Sequence, residues 1–140
     1  MRIQGREKGF RIICLLWMTI PITVLIQYLT DGENVAFIIA SLAATLVIIL
    51  GAFVYLGHFG ILAGFNTMSE KELKEFDMEK VTSFVGMGFT ATGLVPFFAA
   101  LFVMEFADEG TSFAIFFLLF MIMTLFVAFY PASKKFKTDP

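Results

Sequence analysis

Few side chains in this 140-residue sequence are equipped for chemistry, and they are scattered. His58 is the only histidine and Cys14 the only cysteine. An imidazole titrates near neutral pH, so His58 is a candidate to carry a proton or to ligate a metal or haem. A metal site needs more ligands than that, and neither a second histidine nor a cysteine pair exists to supply them. Cys14 sits within an apolar stretch, reads as a small apolar residue and excludes an intrachain disulfide. Carboxylates cluster only at 31–33, 70–79 and 105–109, all of which read as loops. No serine has a histidine partner at a meaningful spacing, and no glycine-rich phosphate loop follows a strand. Neither nucleophilic nor acid–base catalysis therefore has a constellation to rest on. The expectation is a protein that is not an enzyme, with no cofactor and no metal site.

The elements that must position these groups are four long apolar stretches. At 59% apolar residues the composition exceeds that of ordinary soluble domains. Crossing about 30 Å of hydrocarbon takes roughly 20 residues, so four spans use most of the chain. They are placed at about 10–30, 35–64, 82–105 and 111–131 in a single domain, 1–140. Backbone groups in hydrocarbon must bond within their own segment, so all four are expected to be helices. The fold class is all-α, an integral membrane bundle with a short cytoplasmic interfacial helix between the second and third spans. All ten Lys and Arg residues fall on one side of these stretches: Arg2, Arg6, Lys8, Arg11, Lys71, Lys74, Lys80, Lys134, Lys135 and Lys137. The loops on the other side hold Asp31, Glu33, Glu105, Asp108 and Glu109. By the positive-inside rule both termini and the central loop are cytoplasmic. The outer carboxylates form a rim that either gathers cations or is a pair of solvated turns from which basic residues are kept away. The asymmetry concerns orientation and lipid headgroups, and a nucleic-acid partner is not expected. The first apolar run is longer than a signal-peptide core and has no small-x-small cleavage site after it, so it is expected to stay attached.

The second stretch, at about 29 residues, would reach about 43 Å and so must tilt, bend or run past the inner interface, with His58 near that boundary. Pro21 and Pro96 are expected to kink the first and third spans. Their spacing also admits two related hairpins. Helices in lipid pack at small residues, and Gly57, Gly60 and Gly64 on the second span are expected to meet Gly86, Gly88, Ala91 and Gly93 on the third. Gln27, Thr90, Thr92 and Thr124 are the other polar groups in or near the spans, and such hydroxyls bond back to their own helix. The fourth span, Phe113 to Tyr130, has almost nothing polar and is expected to face lipid or a hydrophobic partner.

The central loop carries the most specific local signal. Gly64 and Asn66 suit the end of the second helix. Ser69 and Glu72 form a capping box, with Met68 and Leu73 placed for a hydrophobic staple. A helix is therefore predicted to start at about Glu70 and run into the third span, with Leu73 and Phe76 turned toward the bilayer. The run Ala63-Gly64-Phe65-Asn66-Thr67-Met68-Ser69, followed by Phe76-Asp77, resembles a family of small prokaryotic membrane proteins known as domain of unknown function 3784. The resemblance centres on residues 57–95, and the extra apolar helix here departs from shorter members. It implies a prokaryotic cell membrane and no known activity, substrate or cofactor. The Gly-Asn element after a span is also loosely similar to membrane proteins that confer immunity to peptide toxins.

These observations lead to the expectation of a multi-pass membrane protein that works by association. Its partners are the lipid bilayer and another membrane protein or a second copy of itself, in the role of an accessory subunit or an immunity or regulatory factor. The alternative is a small oligomeric transporter of a cation or lipophilic compound using His58 and the acidic rim. The interaction surface expected comprises Gly64, Phe65, Asn66, Thr67, Ser69, Glu72, Leu73, Phe76 and Asp77, together with an apolar face of the third or fourth span.

Overall fold

The computed structural model describes residues 5–62 and 64–138; Arg2 of the basic set and Ala63 of the loop motif lie outside the described residues. The chain is all-helical: α1 (Glu7–Asp31), α2 (Val35–Tyr55), a one-turn α3 (Glu70–Leu73), α4 (Met78–Met104) and α5 (Glu109–Phe129). Among the described residues the only β-type pairing is an isolated antiparallel bridge between Phe76 and Lys137. Four helices, α1, α2, α4 and α5 with its 3-10 extension to Ala132, are long and apolar enough to cross a membrane. The chain is a multi-span membrane protein.

Short polar residues start three of these helices. The Asn34 side chain accepts the Phe37 amide, Asp77 that of Lys80 and Asp108 that of Thr111, each satisfying one of the donors a helix start leaves unpaired. Pro21 and Pro96 lie inside α1 and α4, which continue through them.

The end of α2 corrects the sequence reading. A helix to residue 64 was expected, but α2 stops at Tyr55. The His58 amide donates to the Phe53 carbonyl at 3.1 Å and the Gly57 amide to that of Val54 at 2.9 Å. Gly57 takes φ +104°, so this is a Schellman motif whose left-handed position only glycine adopts without strain. At 21 residues α2 is about 31 Å long, which removes the supposed mismatch with the bilayer. Leu62 and Phe65 of the apolar run after it are buried in a separate core at this end of the bundle. Hydropathy alone cannot separate that from a continuing span.

α2 and α4 make the most extensive helix contact, and α5 packs mainly on α4. A Cβ on Gly51 would lie 2.8 Å from the Gly86 carbonyl oxygen, and one on Gly86 would lie 2.9 Å from Tyr55 Cα. One on Gly93 would lie 2.8 Å from the Ala44 carbonyl oxygen. The two backbones thus touch along a glycine and alanine seam, the packing mode of helices in lipid. Gly86 and Gly93 pack here against Gly51, Tyr55, Ile48 and Ala44, whereas Gly57, Gly60 and Gly64, expected to meet them, lie beyond the end of α2. Gly60 and Gly64 face open space, so they are corrected from packing to connecting positions, and Gly51 is the glycine that α2 contributes. Gly88 packs instead against Val127 of α5. α1 is the loosest member, burying only Ile13 and Ile20 among its residues.

Candidate functional site

The connectivity brings residues 5–11, 56–62, 64–77 and 130–138 to one end, the basic end, where they form a folded cap. Phe65 and Phe76 meet edge to face at 5.2 Å, and Phe136 packs 5.2 Å from Phe84 and 5.7 Å from Tyr130. The C-terminal segment holds this cluster shut. The Asp77 amide donates to the Phe136 carbonyl at 2.8 Å and the Thr138 amide to the Glu75 carbonyl at 2.7 Å. The pairing gives the loop motif a physical meaning: Phe65 and Phe76 are anchors, while Asp77 caps α4 and ties it to the C-terminal segment. Asn66 and Thr67 are exposed, with the Thr67 hydroxyl donating to the Gly64 carbonyl at 3.1 Å. Gly64 itself has φ +90°, a conformation that favours glycine.

The capping box at Ser69 and Glu72 is present. The Ser69 amide donates to Glu72 Oε2 at 2.7 Å and the Glu72 amide to Ser69 Oγ at 3.4 Å. The bond from the Ser69 amide, then that from its hydroxyl, holds the Glu72 carboxyl below its ordinary range. The helix it starts is four residues long and breaks at Lys74–Asp77 before α4 begins, so it does not run into the third span as expected. Leu73 and Phe76 are corrected as well. Phe76 is 8% exposed in the aromatic cluster and Leu73 packs partly buried against the same cluster, so both serve the cap rather than face the bilayer.

Sequence reasoning missed Arg6. It is 7% exposed, and its guanidinium donates to the Tyr55 carbonyl at 2.7 Å, to Thr82 Oγ1 at 2.9 Å and to the Glu79 carbonyl. It also lies 4.7 Å from the centroid of the Tyr55 ring. One side chain therefore joins the start of α1 to the C-terminal carbonyls of α2, the negative end of its dipole, and to the first turn of α4. Gly9 permits this, because a Cβ there would collide with the Tyr55 hydroxyl. In sequence Arg6 is indistinguishable from the other cations that mark orientation.

His58 is exposed beyond α2, its ring edge-on to Phe53 at 6.0 Å. This is the contact between the two residues that close a Schellman motif. At the opposite end Asp31, Glu33, Glu105, Asp108 and Glu109 are all exposed. Asp108 is committed to the Thr111 hydroxyl at 2.7 Å and amide at 2.9 Å, which hold its carboxyl below the usual range. Among the described residues no three His, Cys, Asp or Glu side chains converge as a metal site would need. Inside the spans the hydroxyls bond to their own helices: Thr90 to the Gly86 carbonyl, Thr92 to that of Gly88 and Thr124 to that of Phe120. A groove of about 520 Å³ separates α1 from α2 toward the acidic end, lined by Trp17, Gln27, Asn34 and Thr45 among others. Trp17 Nε1 donates across the same seam to Thr45 Oγ1 at 3.3 Å.

No curated protein and no solved structure matches the chain. A family model matches over residues 41–135, a span that begins inside α2, takes in the central-loop part of the cap and the glycine seam, and leaves out α1 and the closing residues 136–138. Matched over more than half its length, the chain belongs to the family described as Domain of unknown function (DUF3784).

Proposed function

We propose that this protein is a non-catalytic membrane component that works by associating with another membrane protein, as an accessory subunit or an immunity or regulatory factor in a prokaryotic cell membrane, with its basic end in the cytoplasm. The observation that carries this reading is the outer face of α5. Leu118, Met121, Ile122, Leu125, Phe126 and Phe129 are exposed at helical spacing, forming an unbroken apolar ridge on a helix whose other side packs on α4. Lipid tolerates such a ridge, and so does the matching face of a partner helix. The close backbone contact of α2 with α4 supports a structural rather than a conducting interior, and the folded cap offers a second, polar surface beside the ridge. The orientation rests on the basic residues gathered at the cap end.

A photo-crosslinking residue at Ile122, activated in the native membrane, tests the reading. A discrete heavier product is expected there and none from the same residue at Leu29, which is exposed on α1. Crosslinks to lipid alone at Ile122 would sink it.

The groove between α1 and α2 favours a second reading, an oligomeric transporter of a cation or lipophilic compound. A transporter that used His58 would lose flux on His58→Ala, whereas an accessory subunit carrying the same change would still copurify with its partner.

A further inference from the structure

The pairing of the C-terminal segment with residues 75–77 has a consequence for charge. It places Lys137 beside Lys71 and Lys74, which lie three residues apart on α3 and its C-cap, and the three line one depression of about 410 Å³ with Glu75 and Thr138. Three lysines face a single carboxylate, Glu75, in this depression, and the neighbouring carboxylates Glu72 and Asp77 are engaged elsewhere. Glu72 closes the capping box, Asp77 caps α4 and pairs with Lys80 at 3.5 Å, and Glu75 pairs with Lys137 at 3.3 Å. Lys71 and Lys74 have no carboxylate within the 4.0 Å of an ion pair among the described residues. Both are exposed. Backbone bonds, rather than a mobile tail, hold the third lysine in place: the Thr138 amide to Glu75 and the Asp77 amide to Phe136. The depression lies just before the first turn of α4, so a bilayer spanned by α4 would bring its phosphates close to it.

We propose that Lys71, Lys74 and Lys137 form a binding site for a phosphate group, supplied by the headgroup of an anionic phospholipid. Ammonium groups act on phosphate as point charges, so three converging on one depression suit a tetrahedral anion better than a planar carboxylate, which arginine matches. The site goes beyond the association reading and does not depend on it.

The test uses the full chain in mild detergent, titrated separately with phosphatidylglycerol, phosphatidylcholine and inorganic phosphate, with adducts resolved by native mass spectrometry. Phosphatidylglycerol should be retained and phosphatidylcholine not. Retention should weaken on the order of tenfold or more in Lys71→Gln/Lys74→Gln, since each juxtamembrane lysine contributes several-fold to anionic-lipid binding. Lys80→Gln, which removes a cation that does not line the depression, should leave retention unchanged. Equal retention by the double variant, or equal retention of phosphatidylcholine, overturns the site. Inorganic phosphate bound through Lys71 and Lys74 without retention of phosphatidylglycerol overturns the lipid assignment and makes the ligand a soluble phosphate.

Discussion

Arg6 shows how one side chain can decide the attachment of a whole helix. Its three acceptors belong to the end of α2 and the start of α4, so removing the guanidinium leaves the buried Tyr55 carbonyl without this partner and takes one donor from the Glu79 carbonyl, which keeps the Thr82 hydroxyl. Arg6→Ala should cost about 3 kcal/mol, since each lost bond to a charged group or orphaned acceptor costs roughly 1–3 kcal/mol. Arg6→Lys should recover less than half of that, because a single ammonium cannot reach three acceptors in a plane. Thermal melting in detergent checks both, and an unchanged midpoint for Arg6→Ala would remove Arg6 from the account. Gly86→Leu should be at least as damaging, because a Cβ there already meets Tyr55 Cα and the Gly51 carbonyl oxygen at 2.9 Å and the helices must part. Gly60→Ala, facing open space, should melt with the parent protein. Gly86 was legible as a small residue in an apolar helix. Gly51 was passed over because Gly57, Gly60 and Gly64 cluster more densely in the sequence, and density of glycine does not reveal which ones lie within a helix. Arg6 was not legible at all, since burial of a terminal cation depends on carbonyls more than 40 residues away.

Capping decides where the elements begin and end. Residue types alone exposed the box at Ser69 and Glu72, since its two reciprocal bonds depend only on local spacing. The end of α2 was ambiguous because Gly57 and Gly64 both suit a helix C-terminus, and the choice between them follows from the tertiary burial of Leu62 and Phe65. The box also titrates. Glu72 has its carboxyl held below the ordinary glutamate value of 4.5 in the folded chain, so its contribution is complete above that value and is lost as pH falls through the lowered one. The Ser69 amide resonance should therefore shift with a midpoint below 4.5, and Glu72→Gln, which keeps an acceptor at that position, should abolish the shift. A midpoint at or above the ordinary value would contradict the observed bonds. The C-terminal segment closes the cap through Phe136, which is buried against Phe84, Tyr130 and the Phe76 segment. Phe136→Ala should cost about 3 kcal/mol and expose residues 130–138 to protease, with the spans themselves intact. No local pattern could announce this contact, because its partners are some 60 residues apart and the pairing is a single bridge.

At the scale of the whole molecule, the four-span bundle and the gathering of charge were readable because the bilayer imposes them through length, hydropathy and the sign of the loops. The division of labour within the bundle was not. Residues 41–135, the stretch shared with the family, contain the glycine seam, the central-loop part of the cap and α5, while α1 lies outside and is held by Arg6, Ile13, Ile20 and the Trp17–Thr45 contact. The ridge of α5 is a broad apolar face of the shared part, beside the exposed Leu42, Leu46, Ile49 and Phe53 of α2, and is where association is proposed. The most direct measurement is the mass of the assembly extracted from the native membrane into nanodiscs, for the parent chain and for Ile122→Trp/Leu125→Trp. These substitutions enlarge the ridge without adding charge, so melting of the isolated chain should be unchanged. The expected result is a complex of fixed stoichiometry with a second membrane protein in the parent, lost in the double variant. A parent chain extracted alone or only with copies of itself would contradict the association reading and direct work to flux through the groove between α1 and α2.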